Sequence, residues 1–172
     1  MKKITFVGLY SANIGDIVIA DCTEYLFKEQ FGNILSEKVD LNFQNRNILF
    51  IKTLKILRKL SLSKIRFLLL KESYKRHYEK QIDKNSDLIV IVGGGILKFK
   101  YENFAPKLVA LIDCAEKNNI PVIMNAIGVE GFSKENIGCK WLHKAINRAI
   151  NKTINKAITT RDDIDSLNNE YL

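Results

Sequence analysis

The sequence predicts an α/β fold: a doubly wound parallel sheet of the Rossmann-like kind. Three observations carry that expectation. Runs such as Asp87–Val92 (DLIVIV) and Pro121–Ala126 (PVIMNA) lack the polar alternation of a half-exposed strand and read as strands buried on both faces. Segments with helical spacing alternate with such runs. Glycines close them: Gly8, Gly93 to Gly95 and Gly128, and ligands of open parallel sheets bind beyond the carboxyl ends of the strands.

Taken in order, Ile4–Val7 is the first strand. A loop then leads into a helix over Asp16–Phe31, with Ile17, Ala20, Tyr25, Leu26 and Phe27 roughly on one face and Gly32 as its stop. Ile34–Leu41 alternates weakly and reads as a second strand. Asn45–Lys84 reads as two basic helices broken near Leu60–Ser63. Asp87–Val92 is the next strand, ended by three glycines. Asn103–Asn118 is helical, with Pro106 early enough to sit in the first turn. Pro121–Ala126 is a strand, Lys134–Asn151 a helix, Ala157–Thr160 a short last strand, and Asp162–Tyr171 begins another helix.

The chain has 172 residues, with 27 Lys and Arg against 19 Asp and Glu, a net charge of +8. That length fits one domain spanning 1–172. With 47% apolar and 27% charged residues, disordered, collagen-like and low-complexity readings are excluded. Cys22, Cys114 and Cys139 are scattered, form no CxxC, and have no metal-ligand spacing to His77 or His143. A disulfide framework and a zinc site are therefore not expected, and a reducing cytoplasm is the expected compartment. The start MKKITFVGLY resembles a signal peptide only superficially, because Asn13 and Asp16 interrupt the apolar run. No run reaches the roughly 18 apolar residues of a membrane span.

Four short motifs and one basic stretch are the candidates for chemistry. The first, Gly8 to Asp16 (GLYSANIGD), joins strand to helix. Gly15 can adopt angles closed to other residues, and Asp16 can cap the helix. The helix amides behind it suit an anion. It is neither GxGxxG nor a Walker loop, and it reads equally as a turn with a cap or as a binding loop. In the second, Gly93, Gly94 and Gly95 permit close approach of a ligand or of another backbone. In the third (NAIGVEG), Asn125 ends an apolar strand, where it can bond a ligand or a neighbouring loop, and Glu130 is a carboxylate in a loop. In the fourth (TTRDDIDS), Arg161 suits a phosphate or carboxylate, or it pairs with an aspartate while Asp162 caps the helix.

Between Arg46 and Lys80 eleven Lys and Arg face only two acids, with leucines and isoleucines interleaved. Such a stretch reads as two helices that pack on the sheet and solvate their lysines, or as a basic amphipathic surface on an anionic membrane. No nucleic-acid motif accompanies it, and no nucleic acid is expected as a partner. The two histidines support no Ser-His-Asp or Cys-His arrangement.

Together and in order, GLYSANIGD, DLIVIVGGGILKF, NAIGVEGF and TTRDDIDSL resemble the polysaccharide pyruvyl transferase family, from Ile4 to Leu167. The resemblance implies two Rossmann-like halves, similar to the GT-B glycosyltransferases, with this chain as the N-terminal half and the C-terminal half absent. It implies transfer of a pyruvyl group from phosphoenolpyruvate to two hydroxyls of a sugar, in a cell-surface polysaccharide or its lipid-linked precursor. No cofactor or metal is expected. The residues it singles out are Asn13, Gly15 and Asp16, Gly93 to Gly95, Arg161, Asp162 and Ser166, with Asp16 as the ligand or base for the acceptor hydroxyl. Arg161 contacts an anion or braces a neighbouring aspartate. Expected partners are phosphoenolpyruvate, the sugar acceptor, a C-terminal half or partner chain, and the inner face of the membrane through residues 46–80. The alternatives are a non-catalytic glycan- or partner-binding module and a fragment of a GT-B-type glycosyltransferase.

Overall fold

The computed structural model describes residues 1–11, 14–43, 47–98, 104–131, 133, 135–152, 154–160 and 164–171. Its elements run β1 (Lys2–Gly8), α1 (Ile14–Phe31), β2 (Ile34–Asp40), α2 (Ile48–Lys59), α3 (Ser63–Gln81), β3 (Leu88–Val92), β4 (Leu97–Lys98), α4 (Phe104–Lys117), β5 (Val122–Ile127), β6 (Val129–Glu130), α5 (Ile137–Asn151), β7 (Asn155–Thr160) and α6 (Ile164–Tyr171). Five strands form one parallel sheet in the order β2-β1-β3-β5-β7. The fold is therefore the doubly wound α/β architecture expected.

The buried strands explain themselves by alternation. Side chains of a strand point to opposite faces in turn. In β3, Ile89 and Ile91 enter one core while Val90 and Val92 enter the other. Ile4 and Phe6 of β1 join Val90, Val92 and Ala20 on the α1 face. On the opposite face, Ile89, Ile91, Val122 and Met124 meet Tyr74 and Tyr78 of α3, Leu108 and Ile112 of α4, and Leu142 and Ile146 of α5. α4 is the central helix, buried from Ala105 to Ile112. Its Asp113 accepts from Lys71 of α3 at 2.9 Å and from Arg148 of α5 at 2.6 Å, tying three helices together.

Two local expectations change. The first helix buries only part of the apolar set read from its sequence: Ala20 is buried and Ile17 and Phe27 half-buried, but Tyr25 and Leu26 are exposed, while Asp16, Thr23 and Glu24 are buried. Polar partners draw that side inward. Ser36 and Lys38 of β2 reach Glu24 at 2.7 and 3.0 Å, and Asn125 of β5 donates to Thr23 at 3.0 Å. The basic stretch also divides. α3 packs on the sheet through Phe67, Leu70, Tyr74 and Tyr78, whereas α2 buries no residue.

Strand order places the ligand crevice. The chain leaves β1 for β2 on one side and later returns to β3 on the other. The carboxyl ends of β1 and β3 therefore flank a topological switch point, where open α/β sheets bind ligands. Gly8 ends β1 and Gly93 follows β3. The helices that follow these strands, α1 and α4, cover opposite faces, and both begin at this edge.

Candidate functional site

Three of the four motifs meet at the carboxyl edge among the described residues, with the last contributing Thr159 and Thr160. Gly93 and Gly94 have φ of +55° and +72°, left-handed angles that L side chains rarely adopt. The loop is also packed from the α1 side. A Cβ on Gly93 would stand 2.8 Å from Ile19 Cγ2, and one on Gly94 would stand 3.2 Å from Asp16 Oδ1 and 3.0 Å from Leu9 Cδ1. The glycines thus let the first turns of α1 lie directly on the β3 loop.

The same loop is hydrogen-bonded to the third motif. Gly93 N–H donates to Asn125 O at 3.0 Å and Gly128 N–H donates to Gly94 O at 2.7 Å. Leu97 and Lys98 then pair with Val129 and Glu130 in a separate two-stranded parallel ribbon. Two-residue strands leave no hydrophobic period in the sequence, which is why they escape a sequence reading.

Asp16 lies in the first turn of α1, two residues after its start at Ile14, rather than at a cap. It is only 8% exposed. A carboxylate near a helix N-terminus is favoured by the helix dipole, and this one is held at the switch point against backbone. Such a group can accept a proton or hydrogen bond from a hydroxyl that enters the crevice. Gly15 is exposed and helical, without the left-handed angle that the loop reading allowed it.

Asn125 is engaged inside the protein. Ala126 N–H donates to Thr159 Oγ1 at 2.8 Å, Thr159 Oγ1 donates to Asn125 Oδ1 at 2.9 Å, and Asn125 Nδ2 donates to Thr23 Oγ1 at 3.0 Å. The chain ends with Thr23 donating to Ile19 O at 2.8 Å. It links β7, β5 and α1, and it supports Ala126 at φ +53°. Thr160 Oγ1 donates to Ile127 O at 2.8 Å, closing the same edge. Asn13, Arg161 and Asp162 lie outside the described residues, and Ser166 is described only through the backbone of α6.

The order and placement of these motifs agree with a comparison across the chain. The family model described as polysaccharide pyruvyl transferase matches residues 13–172. The chain belongs to the polysaccharide pyruvyl transferase family. No curated protein matches it significantly. Membership supports a transferase role in polysaccharide modification.

Sequence reasoning passed over one residue beside this edge. Lys107, in the first turn of α4, is 5% exposed. Its ammonium lies 5.0 Å from the Phe104 ring centroid and 5.5 Å from that of Tyr74. Burial pushes its pKa down, partly offset by the charge of Asp40 at the end of β2. The signal was present in the helical spacing: Phe104, Lys107, Ala110, Leu111 and Cys114 form one stripe, and a lysine stood among positions expected to be buried.

Proposed function

We propose that this family member acts in pyruvyl transfer from phosphoenolpyruvate to a sugar of a cell-surface polysaccharide or its lipid-linked precursor. The observation that supports this most is the buried Asp16 carboxylate, held against the glycine loop at the switch point of a chain in this family. In this reading Asp16 accepts the proton of an acceptor hydroxyl. The hydroxyl oxygen bonds to the phosphate-bearing enol carbon of phosphoenolpyruvate as an acid protonates its methylene carbon to a methyl group. A second hydroxyl of the same sugar then bonds to that carbon, its proton leaves, and phosphate departs, giving a ketal. Cationic groups hold the carboxylate and phosphate of the donor. Asn13, Gly15, Gly93 to Gly95, Asn125, Arg161, Asp162 and Ser166 are the proposed surroundings of these ligands.

The proposal extends to the acceptor's location, at the cytoplasmic face of the membrane. From Ile48 to Lys71 there are seven Lys and Arg and no acid. Ile48 is 69% exposed, Leu49 75%, Ile56 57% and Leu60 61%. Among the described residues no helix is long and apolar enough to cross a membrane. Only Phe50 and Leu54 of α2 rest against the core. The exposed apolar side chains interleaved with cations match an anionic lipid surface: the cations meet headgroups and the leucines enter the acyl boundary.

The donor is tested by competition between phosphoenolpyruvate and nucleotide-sugars. Tighter binding of phosphoenolpyruvate supports pyruvyl transfer, and preference for a nucleotide-sugar supports the glycosyltransferase alternative. The membrane contact is tested by co-sedimentation with vesicles of phosphatidylcholine and phosphatidylglycerol. The protein should pellet with them at low salt and less at high salt. No pelleting at low salt, or equal pelleting with purely zwitterionic vesicles, would remove that contact.

A further inference from the structure

Among the described residues Lys107 is the one buried Lys or Arg. Other cations near carboxylates pair with them: Lys3 with Asp83, Lys38 with Asp21, Lys71 with Asp113, Lys117 with Glu79 and Arg148 with Glu116. Lys107 makes no ion pair or hydrogen bond with the described residues; its ammonium meets only the ring faces of Phe104 and Tyr74. Aromatic faces hold a cation without neutralising it.

Its position adds a second unfavourable term. Lys107 stands in the first turn of a helix of 14 residues that has no acid in that turn. The N-terminal end of a helix carries partial positive charge and free amides, so a cation there is repelled and an anion is attracted. Desolvation and dipole thus both oppose this ammonium, and one bound anion would relieve both. The place is also right for a ligand, because α4 begins at the carboxyl edge of the sheet, on the face opposite α1 and Asp16.

We propose that Lys107 and the N-terminal turn of α4 form a binding site for a phosphate group. A phosphate offers several oxygens, so it can accept from the ammonium and from the Ala105 amide at once, Pro106 beside it having no N–H to give. Asp40, at the end of β2, is the titratable group whose charge acts on Lys107, and the Tyr74 ring lies against its ammonium. The phosphate chemistry rests on this geometry alone. That its carrier is phosphoenolpyruvate rests on the pyruvyl transfer reading.

The experiment compares thermal unfolding of the full chain in phosphate-free buffer of fixed ionic strength with titrations of inorganic phosphate and of phosphoenolpyruvate. Wild type should gain Tm with both probes. Lys107→Met keeps the apolar packing and should weaken the apparent affinity for both by tenfold or more. Lys84→Met, in the exposed loop between α3 and β3, should bind as wild type does. Tighter binding of phosphoenolpyruvate than of phosphate would assign the organic phosphate as the occupant, and equal binding would assign free phosphate. An unchanged response in Lys107→Met, or no response in wild type, would overturn the site.

If the variant fails to fold, wild type labelled at lysine Cε gives the same answer by NMR: the Lys107 titration midpoint should rise when phosphate is added, and an unmoved midpoint would overturn the proposal. No sugar acceptor is present in either measurement. No phosphate response in wild type that still carries out transfer therefore sinks this inference alone, and phosphate binding without any transfer sinks the reaction alone.

Discussion

The Asp16 carboxylate and Gly94 are in contact across the switch point, with Oδ1 3.2 Å from where a Cβ on Gly94 would be. One residue belongs to the helix after β1 and the other to the loop after β3, so the contact joins the two motifs that flank the crevice. It makes the glycine's missing side chain part of the geometry of the carboxylate.

Replacing Gly94 by alanine should therefore harm both stability and site. The residue sits at φ +72°, and the new methyl would press on Leu9 and Asp16. Strain of this kind is on the order of 1–3 kcal/mol. Chemical denaturation should show a loss in that range, and transfer activity should fall further than stability explains. Gly32 has φ +70° with nothing within 4 Å of a Cβ, so Gly32→Ala should show the backbone strain alone and leave activity intact.

Asn125→Ala should break the hydrogen-bond chain from Ala126 through Thr159 to Thr23. It leaves the buried Thr23 oxygen without the amide that donates to it, at about 1–3 kcal/mol, while the exposed Thr159 hydroxyl turns to solvent. Hydrogen exchange at the Ala126 amide should quicken, because Thr159 loses the group that orients its hydroxyl. Unchanged exchange at Ala126 would show that Asn125 does not organise this edge.

Glu24 sets an acid limit on stability. Burial raises its pKa, but hydrogen bonds from Lys28, Ser36 and Lys38 outweigh burial and hold it at about 2. The folded-state value lies below the unfolded one. Its contribution is thus fully present above the ordinary glutamate pKa and is lost as pH falls toward about 2. We expect Glu24→Gln to be less stable than wild type at pH 7 by roughly 2 kcal/mol, with the gap shrinking as pH falls from about 4.5 to about 2. Denaturation curves at several pH values check this.

Much of the fold was legible because its strands are buried on both sides. Runs such as LIVIV carry no polar alternation to confuse with an amphipathic helix, and glycine closes them where the chain must turn. The Leu60–Ser63 break was legible too, and Ser61 there has φ +54°. The polar seam of α1 was not. Thr23 and Glu24 are buried because Asn125, Ser36 and Lys38 reach them from strands distant in sequence, and periodicity along one helix holds no record of such partners. Lys107 was missed for a related reason: its charge argued for solvent, while the stripe it occupies argued for the core. The glycine motifs marked the strand ends, but only the folded chain shows that Gly94 is shaped around Asp16.

The central claim is that Asp16 serves transfer and not the fold. The measurement is ketal formation from phosphoenolpyruvate and the sugar acceptor by wild-type protein and by Asp16→Asn, with thermal unfolding of both. The account predicts a rate lower by about 100-fold or more for Asp16→Asn, with a folded protein of similar Tm. Transfer by Asp16→Asn at the wild-type rate would contradict it.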